Sequence, residues 1–154
     1  MNKTLPLLLS VILFFALSCP QRAMIEPGSA APEKTVTITI SDSGTCTITD
    51  PGDVTLTRNT DKIRWCIVYN CKPGGVRVVI DDFHDATLSM RSPFGSHSAS
   101  DNVFDIGPLN PGANNCNKVS KVASTNGSYK YRITVIGSDG SVIAQKDPRV
   151  VISD

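Results

Sequence analysis

Beyond residue 19 the chain carries four cysteines, Cys46, Cys66, Cys71 and Cys116, and two histidines, His84 and His97. Thiolates and imidazoles are its best nucleophiles and softest metal donors, so their spacing decides which chemistry is open. The paired C-x2-C knuckles of a zinc ribbon are absent, which argues against a metal held by all four thiolates. An even set of four in an exported domain reads instead as two disulfides. Three connectivities are open, and the preferred one joins Cys66 to Cys71 and Cys46 to Cys116. Asp81-Asp82-Phe83-His84-Asp85 gathers carboxylates around an imidazole and would suit a divalent cation. Adjacent strand residues alternate faces, however, and do not all converge. His97-Ser98 followed by Ser100-Asp101 holds the residue types of a hydrolytic triad without a G-x-S-x-G elbow, and triads are defined by geometry, not local order. No residue is therefore given a catalytic, cofactor-binding or metal-binding role. Asn126-Gly127-Ser128 has the form of a glycosylation sequon and otherwise reads as a turn.

The elements that must position these residues are strands. Thr35-Val36-Thr37-Ile38-Thr39-Ile40 alternates threonine with Val or Ile, and β-branched residues at period two favour a half-buried strand. Further strands are predicted over 45–49, 54–57, 62–69, 76–83, 118–123, 129–135, 142–145 and 150–153. Turn signals such as Asp50-Pro51-Gly52-Asp53 and Ser138-Asp139-Gly140-Ser141 separate them. The shared period predicts one core from Val36, Ile38, Ile40, Ile63, Trp65, Ile67, Val78, Ile80, Tyr131, Ile133 and Val135. Residues 84–117 are rich in Ser, Asn, Pro and Gly and read as one long loop. No segment keeps a helical period. Many short strands with closely spaced turns predict an all-β, Greek-key β-sandwich over residues 35–154.

The N-terminus sets the compartment. Lys3 precedes an apolar run from Leu5 to Leu17, and Ala16-Leu17-Ser18-Cys19 follows. That is the layout of a signal peptide over residues 1–18, too short for a membrane span. Cys19 has two readings: lipid acceptor of a lipoprotein, or a residue beside an ordinary cleavage after Ser18. Lipidation would account for the odd fifth cysteine. Residues 19–34 read as a flexible linker of Pro, Ala, Gly and Ser. Of 15 Lys and Arg residues only Lys3 lies in the leader, and all 14 Asp and Glu follow it, leaving 14 against 14. Such a balance, without a basic stripe, excludes nucleic acid as a partner. Any contact with a membrane would run through the lipid at Cys19.

Several phrases together resemble the cupredoxins, the plastocyanin- and azurin-type sandwich. Asp53-Val54-Thr55-Leu56 followed by Asp61-Lys62-Ile63-Arg64-Trp65 is similar to their strand, turn and strand bearing a core Trp. Asn126-Gly127-Ser128-Tyr129-Lys130-Tyr131 resembles their Gly-x-Tyr-x-Tyr approach to the last ligand cluster, and Asp147-Pro148-Arg149-Val150-Val151-Ile152 a terminal strand of such domains. The resemblance covers roughly 34–154 and implies the fold. It also implies a first copper-ligating His near Gly74 or Gly75, and Cys, His and Met after the Tyr-x-Tyr strand. Neither place holds them: no Cys, His or Met follows Tyr131. A type-1 copper site needs a thiolate and two imidazoles, so the resemblance is to a copper-free member.

The functional expectation is an extracytoplasmic, non-catalytic binding module for a protein or cell-envelope ligand, periplasmic, secreted or lipid-anchored. Its binding residues would come from the long loop: His84, Phe94, His97 and Phe104. The alternatives are a copper-binding or electron-transfer protein with a rearranged site from His84, His97 and Cys116, and a hydrolase.

Overall fold

Val and Ile at period two leave each strand with one apolar face, and two such faces bury each other. The structure, a computed structural model, describes residues 32–87, 93–94, 102–118 and 121–154. The leader, most of the linker, Cys19, His97, Ser98, Ser100 and Asp101 lie outside these residues. Eleven strands are described: β1 (Glu33–Asp42), β2 (Cys46–Ile48), β3 (Val54–Thr57), β4 (Lys62–Asn70), β5 (Val76–His84), β6 (Phe104–Leu109), β7 (Ala113–Cys116), β8 (Lys121–Val122), β9 (Gly127–Ile136), β10 (Val142–Lys146) and β11 (Arg149–Ser153).

They form an all-β sandwich of two mixed sheets. The first runs β2-β1-β4-β7, with β8 also paired to β4. The second runs β3-β11-β9-β5-β6, with β10 also paired to β9. Each sheet contains one parallel pair. β1 runs beside β4 from the Glu33–Lys62 pair to the Ser41–Asn70 pair, and β11 runs beside β3 from Val150–Val54 to Ser153–Thr57. All eleven residues of the predicted core are buried. Trp65 sits at its centre, 4.9 Å from the Tyr131 ring, 6.0 Å from Phe104 and 6.5 Å from Phe83 between centroids. Trp65 Nε1 and Tyr131 Oη are buried with no hydrogen-bond partner among the described residues.

Two features of β5 and β6 depart from simple alternation. Val76, Val78 and Ile80 face the core, and then the register against β9 shifts between Asp81 and His84. Asp82 takes φ 55°, the left-handed region. The bulge turns Phe83 inward, where an unbroken period of two would have pointed it out. Gly107 marks the second. A Cβ there would come within 2.8 Å of Val76 O and 3.1 Å of Arg77 Cα. Only a glycine lets β6 approach β5 this closely.

The long loop expected over 84–117 is corrected: β6 and β7 lie within it, each the outer strand of its sheet on one side of the sandwich. β6 was hidden because Gly107-Pro108 interrupts its alternation, leaving Phe104, Ile106 and Leu109 buried. β7 buries little, with Asn114, Asn115 and Cys116 exposed, so it leaves no apolar period. The preferred disulfide pairing is also corrected. Cys46 bonds Cys71 and Cys66 bonds Cys116. The ladder explains why: Cys66 on β4 lies directly opposite Cys116 on β7, and Cys71 follows β4 past the start of β2. Two disulfides fit an oxidising compartment.

Candidate functional site

Of the residues expected to bind, Phe94 and Phe104 are buried and His84 ends β5, while His97 lies outside the described residues. Phe94 and Phe104, expected as exposed anchors, are each 5% exposed. They stand edge-on to each other at 6.0 Å, and Phe94 stands edge-on to Phe83 at 5.2 Å. An aromatic ring gains more from this packing than from solvent, so both belong to the core. The Pro93 carbonyl accepts the Ser124 N–H at 2.9 Å, which ties this segment down.

His84 ends β5. Its Nδ1 is 2.8 Å from the Asp82 carbonyl oxygen; a carbonyl can only accept, so Nδ1 carries the proton. The neighbouring acids turn elsewhere. Arg132 Nε donates to Asp81 at 3.2 Å, and its Nη1 lies 3.3 Å from Asp82 Oδ2. Asp85 Oδ1 accepts from the Thr87 N–H at 2.9 Å. The carboxylates are spent on arginine and on a turn, and no group of three metal-donor side chains forms among the described residues. Cys116 is bonded to Cys66 and His84 lies on the other sheet, so these two members of the rearranged copper set are not brought together as donors, and the third, His97, lies outside the described residues.

Between β6 and β7 the two sheets leave a groove of about 830 Å³. Val103, Asp105 and Pro108 line one side, Asn114, Asn115 and Cys116 the other, with Lys118 and Lys121 also on it. Arg77 grips Asp105 with a forked pair, Nε to Oδ1 at 3.1 Å and Nη2 to Oδ2. That carboxylate holds the Arg77 guanidinium above its ordinary range, chiefly by the hydrogen bond. Lys118 and Lys121 remain as positive charges along the groove, and Val103 is 46% exposed. At the end of β7, Asn117 clamps the strand: its N–H donates to Trp65 O at 2.9 Å and its Oδ1 accepts the Trp65 N–H at 2.7 Å. Sequence reasoning missed the groove because it missed the strands; the alternation in Phe104-Asp105-Ile106 was the available signal.

The connections after β4 and after β9 meet at one end of the sandwich. A Cβ on Gly75 would lie 3.7 Å from Ser138 Cβ, and the Gly75 N–H donates to Asn110 Oδ1 at 3.0 Å. Asp139 accepts from Ser141 N at 2.9 Å and Ser141 Oγ at 2.6 Å, and the hydroxyl holds its carboxyl below the ordinary range. These are the two places where the cupredoxin resemblance puts copper ligands. The side chains there offer amide, hydroxyl and carboxylate oxygens. That donor set does not fit a type-1 copper, which needs imidazole and thiolate. No protein-family model and no curated protein matches the chain.

Proposed function

We propose that the protein is an extracytoplasmic, non-catalytic binding module on a copper-free, cupredoxin-like Greek-key sandwich, and that the groove between β6 and β7 receives its ligand. The groove is the observation that carries this reading: it is open and mixed in polarity, with Val103 and Pro108 as apolar contacts and Lys118 and Lys121 as charges. Binding sites combine apolar surface with a few polar groups in this way. The cupredoxin-like assignment is supported by the core Trp65 on β4, by Tyr129 and Tyr131 on β9, and by the meeting of Gly75 with Ser138. The two disulfides support an extracytoplasmic setting.

The test compares three baits in a pull-down from the native envelope fraction: wild type, Val103→Asp with Lys118→Glu, and Val142→Asp, an exposed position on β10. The groove variant should lose the partner that wild type and Val142→Asp both retain. Equal recovery by all three would refute the groove as the site.

A further inference from the structure

The two disulfides stand in different surroundings. Cys71 is 1% exposed and packs against the hydrophobic core. Cys66–Cys116 lies on the outer face of its sheet, because Ile63, Trp65, Ile67 and Tyr69 take the inner face of β4 and alternation leaves Cys66 outward. Cys66 and Cys116 are register partners with Cα atoms 4.0 Å apart. The adjacent Trp65–Asn117 position is the hydrogen-bonded one, and antiparallel ladders alternate, so the cysteines form a close, non-hydrogen-bonded pair. Cys66 itself is 8% exposed, whereas Cys116 is exposed and lines the groove with Lys118 and Lys121. One cysteine of this bridge is therefore exposed, on an outer strand, and shares its groove with two lysines.

We propose that Cys66–Cys116 is a thiol–disulfide exchange site whose substrate is a dithiol, on a small molecule or on a protein. A thiolate of the dithiol attacks Cys116 Sγ. The Cys66–Cys116 bond breaks, and Cys66 leaves as a thiolate and takes a proton from water. The second thiol of the dithiol, deprotonated, attacks its own partner sulfur in the mixed disulfide and releases Cys116 as a thiolate, which is protonated. Two electrons pass from the dithiol to the bridge; the dithiol becomes a disulfide and both cysteines become thiols. Lys118 and Lys121 favour the anionic attacker. Cys46–Cys71 is shielded at Cys71 and does not take part. The β7 ladder and the Asn117 clamp keep the reduced product folded. None of this depends on the groove binding a further ligand.

The test uses the full chain, purified with both bridges formed. It is mixed with excess dithiothreitol, quenched in acid, alkylated and mapped by peptide mass. Cys66 and Cys116 should label together ~10-fold or more ahead of Cys46 and Cys71, with the far-ultraviolet circular dichroism unchanged. Both bridges opening at one rate, Cys46–Cys71 opening first, or neither opening before the fold is lost would overturn the proposal. In a second arm, Lys118→Ala with Lys121→Ala should slow attack by the glutathione thiolate, which carries one more negative charge, more than attack by the dithiothreitol thiolate. Equal slowing would remove the lysines from the site.

Discussion

Trp65 is the residue on which most of the core converges. It is fully buried, and Phe83, Phe104 and Tyr131 surround it. Trp65→Ala should cost about 3–5 kcal/mol in urea unfolding, the usual loss for truncating a buried aromatic; a loss under about 1 kcal/mol would show that the site collapses around the gap. Asp61 holds a different kind of contact. Its carboxylate accepts the Thr57 N–H at 2.7 Å and lies 2.9 Å from Lys34 Nζ, which also donates to Thr55 O at 2.8 Å. The Lys34 and Thr57 contacts hold its carboxyl below the ordinary range. A carboxyl that binds its proton more weakly when folded stabilises the fold fully above its unfolded value of about 3.9 and loses that contribution as pH falls through the lowered native value. Asp61→Asn should therefore flatten the acid limb of stability when unfolding is compared at neutral pH and in the acid range; an unchanged limb would place the effect elsewhere. Trp65 and its neighbours were legible because alternation marks an inward face. Asp61 was not, since its partner Lys34 is 27 positions away in sequence and was read as part of a linker.

Among the elements, β1, β4, β5 and β9 could be read from β-branched and aromatic residues at period two, because burial of one face imposes that period. β7 could not, because an outer strand exposed on both faces carries no apolar signature. The disulfide pairing was out of reach for a related reason: it depends on which strand lies beside β4, and no spacing between cysteines encodes that neighbour. The candidate site shared this fate, since its walls are β6 and β7. At this scale Gly107 tests the packing of β6. Gly107→Ala should destabilise by about 1–3 kcal/mol, the typical penalty for forcing atoms into a filled space, read as a lowered urea midpoint at unchanged slope. Unchanged stability would mean that β6 can step away from Val76 and Arg77 at no cost.

For the molecule as a whole, the sandwich and its cysteine staples were legible, while the surface that would give it a partner was not, because surface residues owe nothing to the period that builds the core. The chemistry of the end where Gly75 meets Ser138 leads to a direct measurement. Protein with both disulfides intact, titrated with Cu(II), should stay colourless and take up no stoichiometric copper, since the oxygens there cannot supply the thiolate-to-copper absorption of a type-1 site. A blue, reversible, one-to-one complex would overturn the copper-free reading. The placement of β11 bears on how the chain is made. It lies between β3 and β9, and its partner Val54 on β3 precedes Val150 by nearly the length of the domain. During synthesis the second sheet cannot close until residues 149–153 have left the ribosome, so β3 emerges early and waits, unpaired, for its neighbour. A nascent chain stalled before Arg149 should remain open to protease, and one stalled on an added C-terminal extension that brings Ser153 out of the ribosome should resist. On the extracytoplasmic reading proposed above, the same delay leaves the second sheet open until residues 149–153 arrive, which keeps the chain threadable.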